Sequence, residues 1–317
     1  LFHPMMRFLL PLLLPALLFA AEQITVTDAF GNPCSITLRP KRTVLCYPSL
    51  LEIWMDCGGT LAGMHTPQKT DILPPGTESI PKVGSYMHPN AEIIVQLKPD
   101  LVILSGMTGR HRPLGDLLRK SGIEVLYLKY DNYADYRAIS ALFSRILGRK
   151  QLAEEPARIE REVQTIRDRC RKRKGPSFLV LLFNGAEFRA ETNQAHASSI
   201  LSALGGRNIL RAEGRDLRSQ RASYSREELL LQDPDCIFLI PAAKSAAVNR
   251  EAIRKFIHDP ALQSLKAVRT GRLHVLPPEL FHYKPNKRFP DAFRHAEKLL
   301  YPEAGKTTPS QESLPAR

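Results

Sequence analysis

The 317-residue sequence contains none of the short motifs that mark the common catalytic and metal sites. There is no GxSxG elbow, no P-loop, no GxGxxG behind a strand and no HExxH pair. A serine hydrolase, a nucleotide hydrolase, a dinucleotide oxidoreductase and a zincin each lack the feature that would carry their chemistry. The nine histidines are scattered, with no pair at helical or HxH spacing, so no resident metal site and no cofactor of the protein's own is expected. The five cysteines, Cys34, Cys46, Cys57, Cys170 and Cys236, include no CxxC spacing, which removes zinc knuckles and thioredoxin motifs. Their odd number leaves at least one thiol free even in a compartment that permits disulfides. Cys46 and Cys57 flank an expected helix and so stand beyond disulfide reach. All five are expected to be small buried hydrophobes.

Long apolar runs are equally scarce. One stretch, Phe8 to Ala21, follows Arg7 and contains Pro11 and Pro15. It is too short to span a bilayer but fits the core of a signal peptide, residues 1–21, cut after Ala20 or Ala21. Met5 or Met6 is the expected start, and no cysteine follows the run to take a lipid anchor. The mature chain is expected to be a soluble, periplasmic monomer. Lys+Arg outnumber Asp+Glu by 45 to 32, a net charge of +13. The excess is spread over the second half of the chain, which suits an anionic ligand or surface better than nucleic acid. The run RCRKRKG, Arg169 to Gly175, is the solvated basic end of a helix. Adjacent carboxylates such as Glu154-Glu155 and Glu227-Glu228 read as solvated helix faces.

The mature chain opens with a hairpin, Ile24–Thr27 and Ser35–Leu38 around Gly31-Asn32. Short apolar strands then alternate with helices. Val44–Cys46, Leu101–Leu104 and Val125–Leu128 are strands buried on both faces, with helices from Ser49, as a cap, to Met55 and from Arg112 to Lys120. Two helices follow, Tyr133–Leu147 and Lys150–Arg173. The second is heavily charged with a thin apolar stripe, as befits a connector between domains. The rhythm then restarts with strands Phe178–Leu182, Cys236–Ile240 and Leu273–Leu276 and helices Ser198–Leu204 and Asp291–Leu300.

Asn90–Leu104 (NAEIIVQLKPDLVIL) and Ser225–Leu239 (SREELLLQDPDCIFL) align without a gap. Each has a capping residue, a Glu two positions on, an apolar helix, Pro-Asp as breaker and a buried strand. Each follows a helix ending in Gly-Gly, at Gly58-Gly59 and Gly205-Gly206. The predicted architecture is α/β: two Rossmann-like lobes, 22–149 and 175–301, joined by a connecting helix at 150–174, with a disordered tail at 302–317.

In open α/β units ligands sit at the carboxyl ends of the strands, and two facing lobes make a cleft. The loops at those ends offer Tyr47, Tyr86, Met87, His88, Arg110 and His111 in the first lobe. The second offers the loop Asn184–Arg189, then Arg221, Tyr224 and, in FHYKPNKR, His282, Tyr283 and Arg288. Tyr86 and Arg221 hold equivalent places in the two repeated units. Aromatic and Arg side chains suit a flat, ring-rich ligand with negative groups. Arg207, Arg211, Arg215, Arg218, Arg221 and Arg226 form the densest Arg stretch, suited to attracting an anion.

The segments ITVTDAFGNP, IPKVGSYMHPNAEIIVQLKPDLVI, LGGRNI, YSREELLLQDPD and KAVRTGRLHVLP together resemble the iron-chelate and vitamin B12 class (class III) of periplasmic substrate-binding proteins of ABC importers. The resemblance covers about residues 24–301. It implies two Rossmann-like lobes on one rigid helix, little closure on binding, no enzyme activity, and delivery of cargo to a permease. The expected cargo is an anionic metal chelate, an iron–siderophore or haem-like complex. A corrinoid is the alternative, although Arg221 stands where corrinoid binders resemble an aromatic wall. If the cargo is haem, Tyr47, His88, Tyr224, His282 or Tyr283 could fill an open iron position. Glu92 and Glu227, equivalent in the two units, are expected to dock on the permease; the resemblance adds arginine partners there. Rival readings are an exported α/β enzyme, which would need a nucleophile–base pair, and an envelope protein binding an acidic surface through its basic second lobe.

Overall fold

The computed structural model describes residues 22–68, 73–185, 187–210, 220–243 and 245–302. The expected signal peptide, the tail beyond Pro302, and Arg211, Arg215 and Arg218 of the Arg-rich stretch lie outside the described residues. Strands β1 (Gln23–Thr27) and β2 (Pro33–Thr37) form the expected antiparallel hairpin, with Ile24 opposite Ile36. Asp28 closes its turn by accepting from the N–H groups of Phe30 (2.8 Å) and Asn32 (2.9 Å), and Gly31 supplies a φ of 82°.

The first lobe is built on β3 (Thr43–Leu45), β4 (Gly63–Thr66), β5 (Lys82–Ser85), β6 (His88–Pro89), β7 (Leu101–Ser105) and β8 (Glu124–Leu128). They lie in the order β6-β5-β4-β3-β7-β8, all parallel except the β5–β6 pair. The second lobe is built on β9 (Ser177–Asn184), β10 (Glu187–Glu191), β11 (Arg207–Asn208), β12 (Arg221–Ala222), β13 (Cys236–Pro241) and β14 (Leu273–Val275). Here the order is β12-β10-β9-β13-β14, with β11 also on β9. The expected loop Asn184–Arg189 is instead the turn and second strand of a hairpin, because Gly185 (φ 71°) lets β9 fold straight back into β10.

The helices of the first lobe are α1 (Pro48–Asp56), α2 (Ala91–Gln96), α3 (His111–Lys120) and α4 (Tyr133–Ile146). Helix α5 (Glu154–Cys170) follows, then α6 (His196–Ala203), α7 (Arg226–Gln232), α8 (Ala246–Ile257), α9 (Lys266–Arg269), α10 (Pro278–Phe281) and α11 (Phe289–Leu300). Ser49 does not cap α1. The helix starts two residues earlier, since Pro48 at the first position brings a preset φ, and Tyr47 precedes it without a side-chain cap.

The repeated units fold alike. Asn90 caps α2 and Ser225 caps α7 through side-chain bonds to the third helical N–H. Lys98 (φ 45°) and Asp233 (φ 37°), both non-glycine and both followed by Pro, turn the chain at equivalent places into β7 and β13. Helix α5 runs between the lobes with Ile159, Val163, Ile166 and Cys170 buried, and it packs on α11. Phe289 and Phe293 of α11 meet Tyr133 of α4 at ring distances of 4.8 and 5.2 Å. One buried cluster therefore runs from α1 and α4 through α5 and α6 to α11. A shared core of this kind resists swinging of one lobe against the other. The five thiols are free; all but the half-buried Cys34 are buried.

Candidate functional site

The carboxyl ends of both sheets converge on the junction between the lobes. At the end of β3, Tyr47 stacks on Tyr86 with ring centroids 5.8 Å apart. Tyr86 is held on every side. Its hydroxyl donates to Ser105 Oγ (3.1 Å) and accepts from Thr108 Oγ1 (2.7 Å). The buried His111 imidazole accepts from Ser105 N–H at Nδ1 (2.9 Å) and so donates from Nε2 to Tyr86 O (2.7 Å). Burial lowers the His111 pKa, which keeps the ring in that neutral tautomer. The exposed Met107 lies beside this tyrosine pair, with the Tyr47 hydroxyl 3.6 Å from its Sδ; Met87, next to Tyr86 in the chain, is also exposed.

A cavity of about 350 Å³ opens between the lobes. The first lobe lines it with Pro48, Ser49 and Glu52 of α1 and with His65 and Leu73; the second lines it with Glu279 and the segment from His282 to Arg288. His282 is neutral: burial, with Arg221 and Lys284 nearby, brings its pKa down to about 4. Tyr283, 54% exposed, stands edge-on to His282 at 4.9 Å. Arg288 is exposed at the rim, with Asp291 3.6 Å from its Nε.

Behind this wall lies a group of buried charges. Glu191 pairs across the β10–β12 ladder with Arg221 and is 2% exposed. Burial pushes its pKa up to about 7, against the pull of Arg221 and the Ser198 N–H. Asp131, 3% exposed after β8, accepts from Lys129 (2.6 Å) and from Gln220 of the second lobe (2.5 Å). Asn286, at φ 47°, bridges the lobes by accepting from the Tyr130 hydroxyl (2.8 Å) and donating to Ser49 O (3.1 Å).

The structure thus pairs Tyr47 with Tyr86 at the strand ends and, separately, sets His282, Tyr283 and Arg288 on the wall of the cavity, with Arg221 close behind His282. It does not bring in the others. His88 is exposed on β6, and Arg110 is exposed at the start of α3. Tyr224, 8% exposed, packs in the second lobe's own core. Glu92 and Glu227 are exposed second residues of α2 and α7. The backbone N–H and the Ser225 hydroxyl at the start of α7 hold the Glu227 carboxyl below its usual range. Sequence reading missed Asp131, Glu191, Lys284 and Asn286. Only Lys284 and Asn286 carried a signal, as members of the FHYKPNKR run.

Two α/β lobes sharing a core, with a cavity at their facing strand ends, define a binding protein for a small ligand. The chain belongs to the periplasmic binding protein family, whose model matches residues 44–280. Its relatives are substrate-binding components of ABC importers rather than enzymes. Among curated proteins it is similar to the high-affinity heme uptake system protein IsdE of Staphylococcus aureus, 24% identical over 76% of this chain and 80% of the relative. The crystal structure of S. aureus IsdE complexed with heme matches 82% of this chain and 98% of that one, with a TM-score of 0.67 and 22% identity. S. aureus SirA complexed with staphyloferrin B matches 86% and 98%, at TM-score 0.66 and 20% identity. The vitamin B12 binding protein BtuF of Vibrio cholerae matches 83% and 97%, at TM-score 0.63 and 20% identity. These likenesses establish the two-lobed fold.

Proposed function

We propose that this protein captures an anionic iron chelate, of the haem type, in the interlobe cavity and hands it to an ABC importer. One observation carries the reading: a neutral imidazole, His282, shares the cavity wall with an exposed phenol, Tyr283, and with cationic side chains from the same segment. A neutral imidazole offers iron a lone pair, aromatic rings offer a macrocycle a face, and cations match acid groups. The same cations suit a ferric siderophore with carboxylates, and relatives in this fold bind heme, staphyloferrin B and vitamin B12. Haem is preferred because the curated relative is a heme uptake protein.

The test is a Soret titration of the wild type beside alanine variants of Tyr47, His88, Tyr224, His282 and Tyr283. Only His282→Ala is expected to shift the band. An unchanged spectrum across all five would reject side-chain ligation of iron by these residues.

The remaining assignments belong to the same proposal. Residues 1–21 direct export and are removed. Residues 22–149 and 175–301 are the lobes, and 150–174 joins them. Glu92 and Glu227, one exposed carboxylate per lobe, dock on the permease.

A further inference from the structure

Lys284 is a cation for which the protein supplies little. It is mostly buried, lines the interlobe cavity, and belongs to the segment that crosses from the second lobe onto the first. Among the described residues its ammonium donates one hydrogen bond, to the backbone carbonyl of Asp131 at 2.5 Å, and it lies 5.7 Å from the centre of the Tyr130 ring. Among the described residues it forms no ion pair. The carboxylates that face it are engaged elsewhere: Asp131 by Lys129 and Gln220, Glu191 by the Ser198 N–H, and Asp135 by the N–H groups of Asp131 and Asn132. Its other charged or titratable neighbours are Arg221, His196 and His282, and the two imidazoles are held neutral by burial.

A buried ammonium with one carbonyl and one ring face for company leaves donor capacity unused at a real desolvation cost. A pairing anion inside a partly dry cavity would relieve that cost, and charge-assisted bonds are stronger there than in water. We infer that Lys284 recognises the acid groups of the cargo, its ammonium taking up a carboxylate of the bound chelate. This rests on the reading of the cavity as a haem-type site.

Haem and its dimethyl ester share the iron and the macrocycle and differ in their free acid groups. Their affinities for the wild type, Lys284→Met and Lys284→Arg give the test. The wild type is expected to prefer haem over the ester by about tenfold or more, as loss of a charge-assisted bond implies. Lys284→Met should bind both alike, at the ester's affinity, whereas Lys284→Arg should keep the preference. Equal affinity of the wild type for haem and ester would overturn the proposal without any variant, and so would a preference that survives in Lys284→Met. If the wild type binds neither compound, the haem reading itself falls and this assignment falls with it. That outcome is distinct from binding without discrimination, which removes the role of Lys284 alone.

Discussion

The Tyr130 hydroxyl donates to Asn286 Oδ1 at 2.8 Å across the junction of the two lobes, and the same amide donates to Ser49 O at 3.1 Å. Lys287 adds an ion pair with Glu52 of α1 at 2.9 Å. A segment late in the chain is therefore bolted onto the first lobe while it forms the cavity wall. Cavity shape and lobe position are set by the same few bonds.

Asn286→Ala should cost about 2–4 kcal/mol of stability, because it strands the buried Tyr130 hydroxyl and the half-buried Ser49 carbonyl and leaves a Cβ residue at positive φ without an amide to hold it. Asn286→Gly should cost about 1 kcal/mol less, since glycine tolerates that backbone. Urea denaturation of both variants measures the difference. Equal stability of wild type and Asn286→Ala would show that the bridge contributes nothing.

Glu191 gives the structure a pH dependence. Its folded pKa is raised to about 7 from 4.5, so the folded chain holds a proton that the unfolded chain has lost between those values. Stability from this group is present below about pH 4.5 and is lost as pH rises through 7. Glu191→Gln cannot ionise. Its stability relative to the wild type should therefore climb between pH 4.5 and 7.5, by up to about 3 kcal/mol. A difference that stays flat with pH would mean that Glu191 ionises normally in the folded protein.

Lys98 and Asp233 should respond differently to glycine. Both hold positive φ, so removing the side chain relieves backbone strain. Lys98→Gly is expected to stabilise by about 0.5–1 kcal/mol. Asp233→Gly is expected to gain nothing, because Asp233 Oδ1 also accepts from the Lys266 N–H at 2.6 Å. Thermal melts of the two variants decide it.

Reversing Glu92 and Glu227 together to Lys should lower cargo transport at least about tenfold while leaving cargo affinity and folding unchanged. The wild-type association with its permease should weaken as salt rises. Normal transport by the double variant in a reconstituted system would leave these carboxylates with only the local role of a charge favoured at a helix start.

The two repeated units were legible because their signals are local. A capping side chain, Pro-Asp and an apolar run act within a few residues, and the fold reproduces them down to the backbone turn at Lys98 and Asp233. The tyrosine pair and the His282–Arg288 wall were legible as loop residues at strand ends. The buried charges were not. Glu191 and Asp131 look like ordinary surface acids in sequence, and only the meeting of β10, β12 and the Lys284 segment at the lobe junction takes them from water. Tyr86 and Arg221 show the limit of the repeat. They hold equivalent places, but one is locked into a tyrosine stack and the other sits on an edge strand beside Glu191.

Native mass spectrometry of the purified protein offered haem, ferric siderophores and cobalamin together tests the central claim most directly. The proposed function predicts a one-to-one complex whose added mass is that of the iron chelate, with haem preferred. Retention of cobalamin alone, or of none of the three, would contradict it.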